Sequence, residues 1–553
     1  MNKKVCSFPI LFALLALLIG TCAVVFPASA QAAPTSTGSI TVSGTVASSY
    51  DAYQIFSANV VDGDSDAKIA TDLAWASDAV RDAVLPVLHS AGMPNSQTTA
   101  QEAAEWLNAD SHLTSALSAQ LARSLQSSGA VSVALNAGTT AKLPCGYWLI
   151  VADDDAISQN EAGTAPIMAL VGGSAVTVKP KAATPKVSKH VLEDGTAAWQ
   201  KAADATVADD LYWRLSATVP AGLTAYDSYA VQFVDTMSAG LDPSKVAAGM
   251  RVYAAPGAGG GFDAVACEGG EANSTPTKGW TDITSQCKVS VEGNAFTVRT
   301  GDLIAALGGA DAFTAGARVV AVYNAPLNSA CNHGIAKGNP NEVYLRYPRS
   351  PFADQSGDAG FTRTPSDDAC AYTWDLALTK RGSDGDKPLA GAVLSIADDR
   401  GRTLAADGTW DAEGKATVTT GEDGRVTVSG VDSGKLEVRE LKAPKGYTAF
   451  EGTRSVTVKA EGLDVDQVAA AKPKLTITAE SPLRADSADG LTGSLEASLI
   501  NTPTGTPPSI TTGGFMPSTG DMAMYAAAAA AVAGAALIVV ALLVKRGGGS
   551  HKE

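Results

Sequence analysis

A β-strand places residues i, i+2 and i+4 on one face, so a charged or amide side chain in phase with apolar neighbours is aimed at a core. Three strands near the C-terminal end of this chain carry such residues. In Trp374-Asp375-Leu376-Ala377-Leu378-Thr379-Lys380 the lysine shares a face with Trp374, Leu376 and Leu378. In Leu436-Glu437-Val438-Arg439-Glu440 the phase runs from Leu436 and Val438 to Glu440, and in Leu495 to Asn501 it runs through Ala497 and Leu499 to Asn501. Burying a charge is costly unless the group neutralises or is paired. A lysine beside a glutamic acid and a carboxamide has a further outcome. In an apolar pocket the amine pKa falls and the carboxyl pKa rises. Neutral Lys380 can then attack the Asn501 side-chain carbonyl while protonated Glu440 polarises it and moves protons; ammonia leaves and an amide remains. The competing reading is that all three lie at strand ends, reach solvent and form an ordinary ion pair. Periodicity alone does not choose between them.

The middle of the chain repeats the arrangement. Val187, Lys189 and Val191 share one strand face, Val231, Phe233 and Asp235 share another, and Asn341 keeps phase with Val343 and Leu345.

The elements that would position these groups follow from composition and punctuation. The chain has 553 residues, 45% hydrophobic and 18% charged, with a net charge of −16 and 54 Gly and 26 Pro. Length suggests three to four domains, and the Gly and Pro content suits many short strands and turns. No clustered Lys or Arg is present to displace counterions, so no nucleic-acid partner is expected. The apolar residues concentrate at the ends. Residues 1–32 carry Lys3 and Lys4, an apolar run from Ile10 to Ile19 and small residues at Ala28 to Ala32, the pattern of a secretory signal peptide. Residues 522–544 are an uncharged stretch followed by Lys545 and Arg546, long enough to span a bilayer as a transmembrane helix. Pro-rich joints divide the remainder into blocks 36–180, 181–370 and 371–503, each the size of one β-sandwich, with a linker at 504–515. Ala, Leu, Gln and Glu at helical spacing between about 78 and 128, as in Ala103, Trp106 and Leu107, place a helical insertion in the first block. The expected fold is mainly β: three tandem immunoglobulin-like sandwiches, the first with a helical insertion, plus the C-terminal transmembrane helix.

Several motifs resemble those of Gram-positive sortase-assembled backbone pilins. Glu440-Leu441-Lys442-Ala443-Pro444-Lys445-Gly446-Tyr447 resembles the E-box of such pilins and of collagen-adhesin B-type (CnaB-like) domains. Lys380, with Pro388 to Ala392 after it, resembles the first strand and loop of such a domain, and Leu499-Ile500-Asn501-Thr502 its last strand. The resemblance implies a Lys380–Asn501 isopeptide bond catalysed by Glu440. The runs Leu215 to Pro220 and Asp235 to Leu241 resemble the isopeptide-forming middle domain of fimbrial subunits. There the family's Asn, two positions after the last strand's Tyr, is replaced by Arg349, which leaves Asn341 as the substitute for a second bond involving Lys189 and Asp235. Met516-Pro517-Ser518-Thr519-Gly520, the apolar span and the basic tail (516–553) resemble a sortase sorting signal, with Met516 in place of the family's Leu. A sortase would cut between Thr519 and Gly520. Lys181, in Val178-Lys179-Pro180-Lys181, sits where backbone pilins carry the lysine that attacks the acyl-sortase of the next subunit; the plainer reading is a linker kept soluble by Lys. The resemblance implies a fimbrial shaft subunit, secreted and finally anchored in the cell wall. Its partners would be sortase, identical subunits head to tail and peptidoglycan, with tip and base pilins and host ligands beyond. The alternative is a wall-anchored adhesin or tip pilin that binds a host protein or glycan.

Without 1–32 and 520–553, the exported part has 36 basic and 55 acidic side chains, a net charge of −19. Five cysteines remain in it. Export favours disulfides: Cys267 with Cys287 would close a short Gly-rich loop, Cys331 with Cys370 would tie the middle block to its exit, and Cys145 is left over. No Cys/His spacing suggests a metal, and no cofactor is expected. Asp62-Gly63-Asp64-Ser65-Asp66 lacks the Gly and Glu of a calcium loop, having Ala67 and Leu73 in those places, and is read as a solvated acidic turn. Only four His remain after processing, and no hydrolase motif accompanies them. The chain is therefore expected to be no enzyme beyond a single self-directed turnover.

Overall fold

The computed structural model describes residues 36–505, except 65–66, 110, 164, 181–183 and 259–278. The described chain is mainly β, arranged as three successive pairs of sheets.

The first pair has three and five strands. The long strand Ser49–Asp62 is buried or half-buried up to Ala58 and pairs antiparallel with Gly146–Ala152. Between them in sequence lie the helices Asp78–Ser90, Ala100–Asn108 and Ser115–Ser128. Their starts are fixed by Ser77, Thr99 and Thr114, each accepting a backbone N–H of the first turn; Thr99 and Glu102 form a reciprocal capping box. The helices bury Val84, Leu88, Leu107, Leu121 and Leu125 against Ile55, Phe56 and Leu149, so the helical spacing read at 78–128 serves one apolar face.

The middle pair has six and seven strands. The strand Arg318–Asn324 is buried along nearly its whole length and lies between Tyr212–Thr218 and Arg251–Ala255. Across the sandwich, Gln232–Met237 pairs with Asn339–Pro348. Asp367–Tyr372 still belongs to this sheet, and the next sheet begins at Trp374, just past the junction expected at 370/371.

The C-terminal pair has five and seven strands. Trp374–Gly382 and the last strand, Ser494–Pro503, run parallel, with Lys380 opposite Leu499 and Gly382 opposite Asn501. Gly434–Lys442 lies in the facing sheet. Trp374, Leu376, Leu378, Val438, Leu495, Ala497 and Leu499 form one core, and the same strand phases carry Lys380, Glu440 and Asn501 into it. Among the described residues no helix is long and apolar enough to cross a membrane. The span expected at 522–544 lies outside them.

Candidate functional sites: two buried lysine clusters

In the C-terminal sandwich Lys380 is fully buried and Asn501 and Glu440 nearly so. Parallel pairing with an offset of two places the Lys380 amine on the Asn501 carbonyl oxygen Oδ1, with which it is hydrogen-bonded. Glu440 reaches both groups from the opposite sheet. Its Oε1 lies 3.1 Å from Lys380 Nζ and accepts a 2.9 Å hydrogen bond from Asn501 Nδ2. The other oxygen, Oε2, accepts from the Phe450 backbone N–H at 3.1 Å, and the Phe450 ring stands 6.0 Å from the amine. Burial pulls Lys380 down to about 8, against the opposing pull of Glu440. One carboxylate oxygen thus touches both the nucleophile and the leaving nitrogen. The strand-end, solvated alternative does not describe these three side chains.

In the middle sandwich Lys189, Asp235 and Asn341 are all fully buried. Here the amine is paired directly with Asp235 Oδ2. The hydroxyl of Tyr323 sits among the three groups: it accepts from Lys189 Nζ at 2.9 Å and from Asn341 Nδ2 at 2.8 Å, and donates to Asp235 Oδ2 at 3.1 Å. Asp235 Oδ1 and Asn341 Oδ1 are buried without a hydrogen-bond partner. Burial lowers Lys189 to about 8 and raises Asp235, with Lys189 opposing the rise. Trp213 and Tyr323 flank the amine, their ring centres 5.6 and 5.5 Å away. Arg349 plays no part in this cluster; its guanidinium donates to the Asp154 backbone carbonyl at 3.3 Å. Tyr323 was missed by the sequence reading, although Val319, Ala321 and Tyr323 share a strand phase and a buried Tyr needs a partner for its hydroxyl.

Residues 375–472 match the family model SpaA, a prealbumin-like fold domain. This stretch is similar to a SpaA domain, and by that similarity the C-terminal sheet pair takes the label SpaA domain. Lys380 and Glu440 lie inside the matched residues of the SpaA domain, and Asn501 lies beyond them on the strand that closes its sheet. The trypsin-resistant surface T6 protein of Streptococcus pyogenes serotype M6 is 30% identical over 143 residues, which is 24% of this chain and 24% of that protein; the chain thus spans about a quarter of the length of that curated relative. Among solved structures, the T6 backbone pilin of serotype M6 S. pyogenes, described as a modular three-domain structure, aligns with a TM-score of 0.47 at 16% identity, covering 85% of this chain and 98% of that one. The major pilin SpaD of Corynebacterium diphtheriae aligns with a TM-score of 0.42 at 16% identity, covering 86% and 100%.

The cysteines correct one expectation. Cys331 and Cys370 are both free thiols, not a bridge. The reason is topological: Cys331 packs in the middle core, whereas Cys370 faces the core of the SpaA domain. Cys145 is free and buried against Ala58, Val60 and Ala70, and Cys287 is also free; its expected partner, Cys267, lies outside the described residues. So do Lys181, the sorting motif Met516 to Gly520 and the signal peptide. In the acidic turn, Asp62 pairs with Lys68 at 3.5 Å and accepts the Ser174 backbone N–H at 2.9 Å.

Proposed function

We propose that the chain is a structural shaft subunit of a cell-surface pilus: three sandwiches in tandem, polymerised by sortase through Lys181 and Thr519, with its own strands tied by isopeptide bonds. The observation that carries this reading is the enclosed Lys380–Glu440–Asn501 contact in a SpaA domain. The chemistry balances. Neutral Lys380 Nζ bonds to Asn501 Cγ, the Cγ–Nδ2 bond breaks, and Glu440 Oε1 carries the amine proton to the departing nitrogen, which leaves as ammonia. Desolvation favours the neutral amine. The tie joins the first and last strands of the sheet, which a pull on the chain would otherwise separate.

The middle cluster supports a second bond of the same class, Lys189 to Asn341, with Asp235 as the proton carrier. The two partnerless oxygens, Asp235 Oδ1 and Asn341 Oδ1, favour it: a proton on Asp235 supplies a buried donor where two acceptors lack one. Tyr323 must release Asn341 before the amine reaches the carboxamide carbon.

An amine in the middle of the chain and an acyl group at its end give a head-to-tail contact that does not close, which builds filaments. Blots of cell-wall extracts test the assembly. A high-molecular-weight ladder lost in Lys181→Ala is expected; a single band from the unaltered chain would overturn the shaft reading.

A further inference from the structure

Where the middle sandwich meets the SpaA domain, a segment of the chain is clamped backbone to backbone. The N–H groups of Gly334, Ile335 and Ala336 donate to the carbonyls of Thr373, Gly490 and Leu491 at 3.0 to 3.1 Å. Gly334, at φ +72°, approaches Gly493 so closely that a Cβ would lie 2.4 Å from the Gly493 nitrogen. The clamp holds His333 between two groups from different sheet pairs. Cys331 Sγ is 3.6 Å from Nε2, and Asp375 Oδ1, on the first strand of the SpaA domain, is 2.8 Å from Nδ1. Asp375 is itself held by Ser429 Oγ at 2.6 Å and the Gly430 N–H at 3.1 Å. The sulfur and the carboxylate lie at opposite ends of the ring. That is a relay and not a convergent donor set, and among the described residues no such group is arranged to hold a metal ion.

We propose that Cys331, His333 and Asp375 form an activated-thiol site, completed across the joint, that takes low-molecular-weight disulfides and forms a mixed disulfide at Cys331. An imidazolium beside a thiol stabilises the thiolate, which is the nucleophile, and a carboxylate 2.8 Å from the far ring nitrogen keeps the ring charged as an ion-pair partner. Asp375, then Cys331, hold His333 up at about 10. These two groups face the ring; Cys331 itself is buried, 8% exposed, and the His333 side chain is a quarter exposed. Burial pushes the Cys287 thiol up to about 12 and the Cys370 thiol up to about 11.

In the step itself, Cys331 thiolate attacks one sulfur of the external disulfide. The S–S bond breaks, a new bond forms at Sγ, and the departing thiolate takes the His333 proton. Cys331 is oxidised and the external disulfide yields one thiol. Because Asp375 belongs to the neighbouring sheet pair, the reactivity of Cys331 also reports whether the joint is docked.

The test uses 4,4′-dithiodipyridine on the whole reduced chain, with adducts located by peptide mass spectrometry. Modification of Cys331 at pH 6 is expected to be at least about tenfold faster than that of Cys287 or Cys370, and nearly flat from pH 6 to 8. His333→Gln should lose the advantage at pH 6 and regain it at pH 9, with Asp375→Asn in between. Cys331 as slow as Cys370, a rate unchanged in His333→Gln, or Cys331 already bridged to another cysteine in the isolated chain would each overturn the site. If His333→Gln does not fold, the pH profile of the unaltered chain decides alone: a tenfold rise per unit from pH 6 to 8 sinks the proposal.

Discussion

The two lysine clusters contain the same functional groups in the same strand phase and differ in what touches the amine. In the SpaA domain the nucleophile rests on the carboxamide oxygen and the carboxylate bridges amine and leaving nitrogen. In the middle sandwich the amine rests on the carboxylate, and the carboxamide is held off by the Tyr323 hydroxyl. Register causes the difference. Lys380 and Asn501 stand on neighbouring parallel strands of one sheet, whereas Lys189 lies across the sandwich from the paired strands that carry Asp235 and Asn341. Burial, against the opposing pull of a carboxylate, lowers both lysines to about 8, but only one amine is in contact with its carboxamide.

Four substitutions sharpen or break this contrast. The largest effect is expected for Glu440→Ala, which removes both the proton carrier and the partner of a buried amine. Breaking a buried pair costs about 3–5 kcal/mol, so calorimetry should show the unfolding midpoint fall on the order of 10 °C. The C-terminal mass loss should vanish while the middle one persists; loss of both would mean that the clusters are not independent. Next is Asn501→Ala, which leaves Lys380 with nothing to acylate. Its folded-state pKa of about 8 lies below the ordinary 10.5, so between those values the unfolded chain binds the extra proton and stability rises with pH. Urea unfolding should show this variant gaining about 2–3 kcal/mol from pH 8 to 10.5, a slope absent from the bonded parent. A flat profile would mean that Lys380 is not held neutral.

Tyr323→Phe is third. Removing the hydroxyl leaves buried groups short of a partner, about 1–3 kcal/mol, yet frees Asn341, so the middle bond should form faster after refolding, read by mass against time. A slower reaction would make Tyr323 an aid and not a gate. Arg349→Asn is smallest. The side chain is partly exposed and outside the cluster, so a change within about 0.5 kcal/mol and no added mass loss are expected. A new mass loss would show that the family's Asn position, and not Asn341, serves the middle site.

Strand phase in the sequence identified every charged member of both clusters, because a two-residue period fixes which face a side chain takes. It was silent on register. Pairing between distant strands decides that Lys380 meets Asn501 but Lys189 meets Asp235, and no local pattern encodes that pairing. The helical insertion was legible because its apolar spacing is a local signal. The Cys331–Cys370 bridge was misjudged for the opposite reason: closeness to one joint in sequence does not reveal that the two thiols face different cores. His333 showed no sequence signal, since its partner Asp375 comes from the adjoining sheet pair.

The most direct test of the account is peptide mass spectrometry of the exported chain after digestion. The account predicts a covalently joined pair of peptides containing Lys380 and Asn501, lighter by about 17 Da than the two together through loss of ammonia, besides the pair joined through Lys189 and Asn341. The Lys380–Asn501 pair should be absent in Glu440→Ala. Two separate peptides of unshifted mass from the unaltered chain would contradict it.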